Sequence, residues 1–584
     1  MWNSTEFSAH WTHFRNRVAA RRAALARPAT AFISQPEPRT IGSFARGRQL
    51  CAGNYLFAGR LVQAPDKGIW DIIPPEAAFA QELQGFAWLD DLAATGDAAA
   101  RTAAQDWLWQ WTQKFGGGRG PGWTPDLTGR RLIRLISHAL FLMGGLPAER
   151  SEAFLRTLAQ QTQFLGKRWH ASQPGLPRFE ALTGLIYAGL SLEGMGQYVA
   201  PANTALAREC ERQMVDLGLL PTRNPEELLE LFTLLTWAAL ALGEAGQTAT
   251  PAHWTAIEEI APVLRTLRHA DGGLARFHGG GRGAEGRLDA ALATSGVKTR
   301  APGGLSMGYA RLSAGRSSII IDAGIPPTGP HSSGAHASTL AFELTSGRRP
   351  LVVNCGSGAS FGPEWRRAGR ATPSHSTLTL AGESSSRLGP DGPTEEWLVS
   401  TPVNVPVQTS QASDGQRFEG AHDGYVRRFG LTHSRSIEMT FDGRGIAGED
   451  LLLALEDMHQ RRFDRALDDT NMEGVPFDIR FHLHPEADAT LDMGGNAVSL
   501  ALKSGEIWIF RCDGALEMRV DPSVYLEKSR LSPRATKQVV LSARAMEYAT
   551  RIRWSLAKAQ DTPVSIRDLE HADPMALPDD QSET

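Results

Sequence analysis

The sequence predicts an α+β multidomain protein in which helical hairpins come first and an antiparallel β-sandwich follows. From about residue 75 to 270 the chain reads as one amphipathic helix after another, divided by glycine-rich or proline-containing breaks. After the loop DGGLARFHGGGRGAEGR the pattern changes to short β runs with period-two alternation. Because no helical crossover separates these runs, the strands should pair antiparallel.

Composition and charge narrow the class of protein. The 584 residues have an ordinary hydrophobic content of 42% and a formal net charge of -4, which suits two or three globular domains. This charge gives no support to nucleic-acid binding or to general binding at a membrane surface. The four cysteines, at positions 51, 210, 355 and 512, form no CxxC pair, so neither a disulfide framework nor a cysteine zinc site is indicated.

The two ends of the chain differ from the part between them. Residues 1–49 carry charge throughout and have no apolar run long enough for a signal peptide or a membrane span, so we expect a basic N-terminal arm and a cytoplasmic protein. Residues 561–584 are acidic and contain proline, which predicts a disordered tail. The helical domain should then cover residues 50–285 and the sandwich residues 286–560.

The individual elements follow from local patterns. In RRLIRLISHALFLMG the apolar residues fall near helical spacing, which predicts one helix with a buried stripe formed by Leu132, Ile133, Leu135, Ile136, Leu140 and Phe141. Antiparallel pairs of such helices commonly stack as hairpins. The strands are expected in SSIIIDAG, LAFELTSG, PLVVNCG, STLTLAG, FDIRFHLHP, EIWIFRC, ALEMRV and KQVVLSAR.

Two histidines stand at the edges of strand-like runs between residues 331 and 377. His336 lies in GAHASTLAFEL and His375 in PSHSTLTL. An imidazole at such a place can bind a metal or move a proton near neutral pH. A packed or solvated side chain is the alternative.

The motifs GAHASTLAFEL, LVVNCG, WRRAGRATPSHSTLTL and AHDGYVRRFGLTHSRS, in this order after a helical region, resemble the heparinase II/III family of polysaccharide lyases. The resemblance implies an incomplete α/α toroid followed by the sandwich. It also implies β-elimination on a uronic-acid-containing, heparin-like or envelope polysaccharide, in a cleft between the two domains. By analogy with the family, a periplasmic location is the alternative to a cytoplasmic one.

This reaction defines the catalytic groups to look for. The enzyme must neutralise the uronate carboxylate, remove the C5 proton and protonate the leaving O4 oxygen. Asn224 is a candidate for the first task, although an Asn before Pro225 at a helix start also fits an N-cap. Tyr309 and Tyr425 are candidates for base and acid, with packed core as the alternative, and His336 is a further catalytic candidate.

The resemblance also implies one structural zinc ion in the sandwich. His336 matches a zinc-binding histidine of the family's HxHxD run, His375 matches a second ligand, and Asn354 stands where an acidic ligand is usual. Cys355 could supply a thiolate instead. The alternative is that the two histidines only hydrogen-bond within the sheet. Gly334 occupies the place of the first histidine of the run, so that catalytic position is vacant.

Candidates for holding an acidic sugar come from two other segments. Trp123, Arg130 and Arg131 offer an aromatic platform and cations, with helix packing as the equal alternative. The segment RFHGGGRG contributes His278 and Arg282, with a flexible linker as the alternative. Arg223 beside Asn224 completes the predicted substrate-binding residues.

Two functions therefore remain open on the sequence. The first is a lyase that cleaves an acidic polysaccharide. The second is a protein that kept the lyase scaffold, lost the catalytic set, and binds glycan or assists polysaccharide assembly. Gly334 and the segment LLPTRNP, where relatives show a DGxH sequence, are the direct support for the second function.

Overall fold

The computed structural model describes residues 4–213, 220–299, 303–390, 392–514, 516–528 and 530–561. Apart from Asp561, the predicted tail lies outside the described residues. No helix in the described ranges is both long and apolar enough to cross a membrane.

Helices form the first half of the chain, as the sequence predicts. Those before the sandwich are Ser4–Ala24, Phe44–Cys51, Ala77–Gln84, Ala87–Thr95, Ala98–Phe115, Pro125–Ser137, Ala139–Met143, Ala148–Arg168, Leu176–Ser191, Val199–Gln213, Pro225–Glu244, Pro251–Leu267 and Arg287–Ser295. Several begin at a capping residue: Asp97 accepts a hydrogen bond from the amide of Ala100, and Thr250 accepts one from the amide of His253. The expected N-terminal arm is largely the helix Ser4–Ala24, which packs on Ala148–Arg168 through buried residues such as Ala20.

One predicted helix is divided. The stretch RRLIRLISHALFLMG breaks at His138, where the backbone leaves helical geometry (φ -105°, ψ 20°), and a short helix Ala139–Met143 follows. The break changes the phase of the apolar stripe, so Leu132, Ile133, Leu135 and Ile136 are buried but Leu140 is 77% exposed. The prediction that Leu140 continues the buried stripe was wrong for this reason.

The second half of the chain is a sandwich of two antiparallel sheets, as predicted. Numbered along the whole chain, the strands begin with β1 Asn54–Phe57 and β2 Arg60–Gln63 in the helical half. The strands of the second half are β3 Tyr309–Ala314, β4 Ser317–Asp322, β5 Phe342–Ser346, β6 Arg349–Val353, β7 Leu378–Leu380, β8 Arg387–Leu388, β9 Leu398–Ser400, β10 Val407–Gln411, β11 Gly415–His422, β12 Thr432–Thr440, β13 Gly445–Leu453, β14 Val475–Leu483, β15 Ala487–Asp492, β16 Ala497–Leu502, β17 Ile507–Cys512, β18 Glu517–Tyr525, β19 Arg534–Ala545 and β20 Ala549–Gln560. Short helices at Pro363–Gly369, Val426–Phe429 and Asp457–Asp469 interrupt the strands.

The strand order of each sheet brings together distant parts of the sequence. One sheet has the order β10-β11-β12-β13-β20-β17-β16-β15, and the other has the order β18-β19-β14-β6-β5-β4-β3, with β7 added on β14. Every β run predicted from the sequence is one of these strands. β1 and β2 form a separate hairpin within the helical half, which the sequence did not predict.

The strand β4 joins the two halves of the protein. Every residue from Ser317 to Asp322 is buried, because both faces of the strand are covered. Ile319 and Ile321 belong to the core between the two sheets, whereas Ile320 belongs to the core of the helical region. Alternate side chains of one strand thus enter two different cores, which fixes the sandwich against the helices.

Candidate functional site

A cleft with a volume of about 1130 Å³ lies between the helical region and the sheets. Its helical wall includes Glu82, Glu226 and Glu230, and its sheet wall includes Arg349 and Lys528. The glycine-rich loop 279–283 lies between these walls. Among the predicted site residues, all of which are described, Arg282 lines this cleft and the others do not.

Four of the other predicted residues meet at a buried junction between the helices and the sandwich. We define the junction network as Arg223, His278, Asp322, His336, Ser338 and His375, all of which are at most 8% exposed. The Arg223 Nη2 atom lies 2.6 Å from Asp322 Oδ1, and Ser338 donates to Asp322 Oδ2 at 2.7 Å. His278 Nε2 lies 3.3 Å from the same carboxylate. A single buried carboxylate thus gathers groups from both halves of the chain.

Arg223 is fixed from several directions. Its guanidinium donates to the carbonyl oxygens of Met307, Gly308, Gly324 and Ile325 as well as to Asp322. Its own backbone is left-handed (φ 50°), a conformation that surrounding contacts must hold in a non-glycine residue. We infer from these contacts that Arg223 joins the start of the helix Pro225–Glu244 to the sandwich. Substrate binding by Arg223 remains a prediction.

Two histidines complete the junction network. The His336 amide donates to His278 Nδ1 at 3.1 Å. His336 Nδ1 lies 3.0 Å from His375 Nε2, and His375 Nδ1 donates to the carbonyl of Ala371 at 2.9 Å. Since His375 uses Nδ1 as a donor, its Nε2 accepts from His336 in the neutral form. The structure thus places the predicted histidine pair in direct contact.

Burial sets the charge state of the junction network. Burial alone would raise the pKa of Asp322, but Arg223 and His278 outweigh it and hold that pKa well below its usual range. Burial lowers the pKa of His375 to about 4 and lowers that of His336 well below its usual value. At neutral pH the network therefore contains one carboxylate, one guanidinium and neutral imidazoles.

The two candidate tyrosines are buried donors to the backbone. The Tyr309 hydroxyl donates to the carbonyl of Arg223 at 2.6 Å, and the Arg223 guanidinium stacks 4.8 Å above the Tyr309 ring. The Tyr425 hydroxyl donates to the carbonyl of Leu378 at 2.8 Å. Burial raises the pKa of both phenols, which opposes their use as bases at neutral pH. Their catalytic roles remain predictions, and the packed-core alternative agrees with where they lie.

Asn224 caps a helix. Its Oδ1 accepts hydrogen bonds from the amides of Glu226 and Glu227 at 3.0 and 3.2 Å, at the start of Pro225–Glu244. The loop glycine Gly280 packs so closely here that a Cβ on it would lie 2.6 Å from this oxygen. The Oδ1 atom of Asn224 thus forms the N-cap, the alternative that the sequence left open.

The donor set near His336 does not fit a zinc site well. Asn354 Oδ1 accepts from the amide of Ser376 at 3.0 Å, and Cys355 Sγ lies 3.5 Å from His482 Nδ1. Burial raises the pKa of Cys355 to about 11, which disfavours a thiolate. Within the described residues, no group of three or more His, Cys, Asp or Glu side chains could hold a metal ion. Zinc binding at this place remains a prediction.

The aromatic and arginine candidates of the helical region hold helices together. Trp123 is buried and donates to the carbonyl of Phe115 at 2.9 Å. Arg131 is fully buried, donates to the carbonyl oxygens of Gln84 and Gly122, and stacks 4.5 Å from the Trp111 ring. Arg130 pairs with Glu180 at 2.6 Å. The helix-packing alternative therefore agrees with the position of all three residues.

Several cleft residues were missed by sequence reasoning. Arg276 pairs with Glu343 at 3.1 Å and stacks 4.3 Å over the Tyr525 ring, while Lys528 reaches Glu226 at 2.6 Å. These residues are separated by up to 302 positions and form no local motif. The one sequence signal next to them was the glycine run of RFHGGGRG, which does line the cleft.

Comparisons with known proteins agree with this architecture. A family model described as Heparinase II/III-like, C-terminal, matches residues 297–555. The chain is 31% identical to FtsZ-localized protein C of Caulobacter vibrioides (strain NA1000 / CB15N) over 561 residues, covering 92% of each protein.

Solved structures of polysaccharide lyases share the fold. A heparinase III structure matches with a TM-score of 0.68 at 12% identity, covering 94% of this chain and 90% of that one. A mutant heparan sulfate lyase from Pedobacter heparinus matches with a TM-score of 0.58 at 15% identity, covering 94% and 88%. These matches confirm the predicted order of an α/α toroid and a β-sandwich.

Proposed function

Because the chain belongs to the heparinase II/III-like family, we propose that it binds a polysaccharide in the cleft between the helices and the sheets and does not cleave it. The observation that carries this proposal is the position of the two candidate tyrosines. Both hydroxyls donate to backbone carbonyl oxygens in the core, and neither residue lines the cleft. A catalytic base has to come within hydrogen-bonding distance of the proton that it removes.

The other candidates support the same conclusion. The position of the first histidine of the family's HxHxD run holds Gly334. His336 is buried with a pKa lowered by burial, and it contacts His375 rather than the cleft. The Oδ1 atom of Asn224 caps the helix Pro225–Glu244. The two tyrosines and His336 are therefore engaged in packing, and the position of the first histidine is vacant.

The cleft itself suits a glycan. Its volume of about 1130 Å³ exceeds the roughly 300–1,000 Å³ of ordinary small-ligand sites, which leaves room for a chain of sugars. Its walls are rich in charged groups that can hydrogen-bond to sugar hydroxyls and acidic substituents.

The test measures binding and cleavage on the same samples. The purified protein is titrated by calorimetry with heparin, chondroitin sulfate, hyaluronan and alginate, and ultraviolet absorbance of the unsaturated product is followed. We expect binding to at least one polymer without absorbance. Arg349→Gln in the cleft should weaken binding, whereas Arg553→Gln on the outer sheet face is the matched control.

Two results would contradict this proposal. Unsaturated product that disappears in Tyr309→Phe would support the lyase reaction instead. Equal affinity of wild type and Arg349→Gln for every polymer, or no binding at all, would contradict glycan binding in the cleft.

A second proposed function concerns a protein partner, namely that this chain associates with FtsZ polymers. The support is the 31% identity to FtsZ-localized protein C, which extends over 92% of both chains and so includes both halves of the fold. The test is sedimentation of the purified protein with and without GTP-assembled FtsZ. We expect it in the pellet only with the polymers, and equal amounts in both pellets would contradict the association.

A further inference from the structure

The two walls of the cleft carry opposite charge. The helical half contributes the carboxylates of Glu76, Glu82, Asp91, Glu226, Glu230, Asp271 and Glu285, against the lining cations Arg46, Arg276, Arg282 and Arg287. The cations of the sheet wall are those of Arg349, Lys503, Lys528, Arg530 and Arg534, against Glu343, Glu486 and Glu527. Ion pairs offset part of the negative charge: Arg60 pairs with Glu76, Arg287 with Glu230, Arg46 with Asp91 and Arg282 with Asp271. The helical wall is still the acidic one and the sheet wall the basic one.

The acidic wall already holds an ammonium group. Lys528 extends from the sheet wall, and its Nζ atom lies 2.6 Å from Glu226 Oε2. Burial alone would lower the pKa of Lys528, but the charges of Glu226, Glu230 and Glu82 raise it above its usual value. Glu226 thus contacts this primary amine directly, and Glu82 and Glu230 line the same wall of the cleft.

The glycine-rich loop shapes this place. The amide of Gly281 donates to Glu226 Oε2 at 2.8 Å. A Cβ on Gly281 would lie 3.2 Å from Lys528 Cδ and 3.4 Å from the Glu226 carboxylate oxygens, so a side chain would crowd the pair. The motif RFHGGGRG therefore brings the backbone close to a carboxylate and an ammonium group.

An unpaired buried hydroxyl lies beside the same place. Ser360 lines the cleft and is 8% exposed, and its Oγ has no hydrogen-bond partner among the described residues. A Cβ on Gly59 would lie 2.5 Å from Ser360 Cβ and 3.5 Å from the Lys528 carbonyl oxygen. The preceding amide, of Ala58, donates to Glu82 Oε2 at 2.9 Å. A buried polar atom without a hydrogen-bond partner lowers the stability of the fold, and a hydrogen bond to a ligand removes that cost.

The basic wall offers free donors. Arg534 makes no hydrogen bond or ion pair with any described side chain, and it lines the cleft. Arg530 is 3.4 Å from Glu527 and 37% exposed, so it is only loosely held. Guanidinium groups of this kind bind carboxylates and sulfates through paired hydrogen bonds.

From these observations we infer that the cleft takes a glycan whose sugars carry both free amines and acidic groups. Amines of the ligand lie against Glu82 and Glu230, close to Ser360, and acidic groups lie against Arg530 and Arg534. A purely acidic chain is repelled by the carboxylates of the helical wall, and a purely cationic chain is repelled by the arginines of the sheet wall. The inference rests on the proposed function, because it requires that the cleft binds a glycan.

The experiment compares three oligosaccharides of equal length. Hyaluronan carries carboxylates, chitosan carries amines, and de-N-acetylated hyaluronan carries both in alternation. Calorimetric titration at constant ionic strength should give the tightest binding for de-N-acetylated hyaluronan, by at least about fivefold over either other chain. Constant salt matters because these interactions are screened.

Variants of the cleft test whether the amines of the ligand bind at the carboxylates of the helical wall. Glu82→Gln should weaken binding of de-N-acetylated hyaluronan about fivefold and should leave hyaluronan unchanged or tighter. Lys528→Met removes the internal ammonium, so it should tighten the amine-bearing chains and weaken hyaluronan. Glu419→Gln on the outer sheet face is the matched control, and thermal melts confirm that each variant is folded.

The outcomes separate this inference from the proposed function. If hyaluronan binds as tightly as its de-N-acetylated form, and Glu82→Gln changes neither, the inference fails while glycan binding stands. If none of the three chains binds, both fail. Opposite effects of Lys528→Met on the two hyaluronan forms would establish the amine-binding wall.

Discussion

The junction network and the cleft lie along the same boundary between helices and sheets, but they differ in access to solvent. In the network, the Asp322 side chain is completely buried and the Arg223 side chain is 10% exposed. In the cleft, the side chains of Lys528 and Glu226 are 41% and 23% exposed. Both pairs are a cation and a carboxylate 2.6 Å apart. An ion pair of the same length thus serves packing in the network and stays open to a ligand in the cleft.

The largest effect should come from breaking the buried pair. Asp322→Ala leaves the Arg223 guanidinium buried without its carboxylate, so we expect the free energy of unfolding to fall by about 3–5 kcal/mol. Urea denaturation measures this change. Glu226→Ala in the cleft should cost far less, because its partner can reach water. Similar losses in the free energy of unfolding for the two variants would show that the two ion pairs contribute equally to stability.

The next effect is the dependence of stability on pH. The pKa of His375 is lowered to about 4 in the folded protein, against about 6.5 for an unfolded histidine. Between these values the unfolded chain binds more protons, so stability is complete above pH 6.5 and is lost as pH falls toward 4.

Urea denaturation at pH 7, 6 and 5 should therefore show a falling free energy of unfolding. The loss for one such histidine at still lower pH is on the order of 3 kcal/mol. His375→Gln should flatten the slope, whereas a cleft variant such as Arg534→Gln should not. Parallel slopes in wild type and His375→Gln would show that this imidazole is not buried in its neutral form.

A smaller effect should come from the buried phenols. Tyr309→Phe removes the donor to the Arg223 carbonyl oxygen, so we expect a loss of about 1–3 kcal/mol in the free energy of unfolding. Glycan affinity should stay unchanged, because Tyr309 does not line the cleft. A normal stability with lost affinity or lost product formation would instead place Tyr309 at the ligand.

The smallest expected effect is that of a chelator. Because the donor set at His336 and His375 lacks a carboxylate, we expect EDTA to leave the melting temperature unchanged. Elemental analysis of wild type beside His336→Ala and His375→Ala provides the second measurement. Stoichiometric zinc that is lost in both variants would support the zinc prediction and would make the junction a metal-stabilised site.

Sequence motifs predicted two histidines of the junction network, but they did not predict that the network is buried. The motifs around His336 and His375 correctly marked two histidines that meet in space. Their burial, and the burial of Tyr309 and Tyr425, could not be derived from local patterns because it depends on how the helices and the two sheets pack against one another. The sequence also left open whether Asn224 is a cap, and the two amides at its Oδ1 show that it is one.

The cleft residues were beyond the reach of sequence patterns for a related reason. Glu82, Glu226 and Lys528 come from three separate segments, and each looks like an ordinary surface charge in its own surroundings. Single charged residues are common on protein surfaces, so no local signal distinguishes these. Their proximity is created by the docking of the sandwich on the toroid.

The amino-acid sequence by itself determined the order of helices and strands, the antiparallel pairing and the family. These properties follow from periodicities, turns and motifs that extend over a few tens of residues at most. Tertiary structure alone decided which polar side chains are sealed in the junction and which line an open cleft. Solvent access at each position depends on segments that lie hundreds of residues away in the chain.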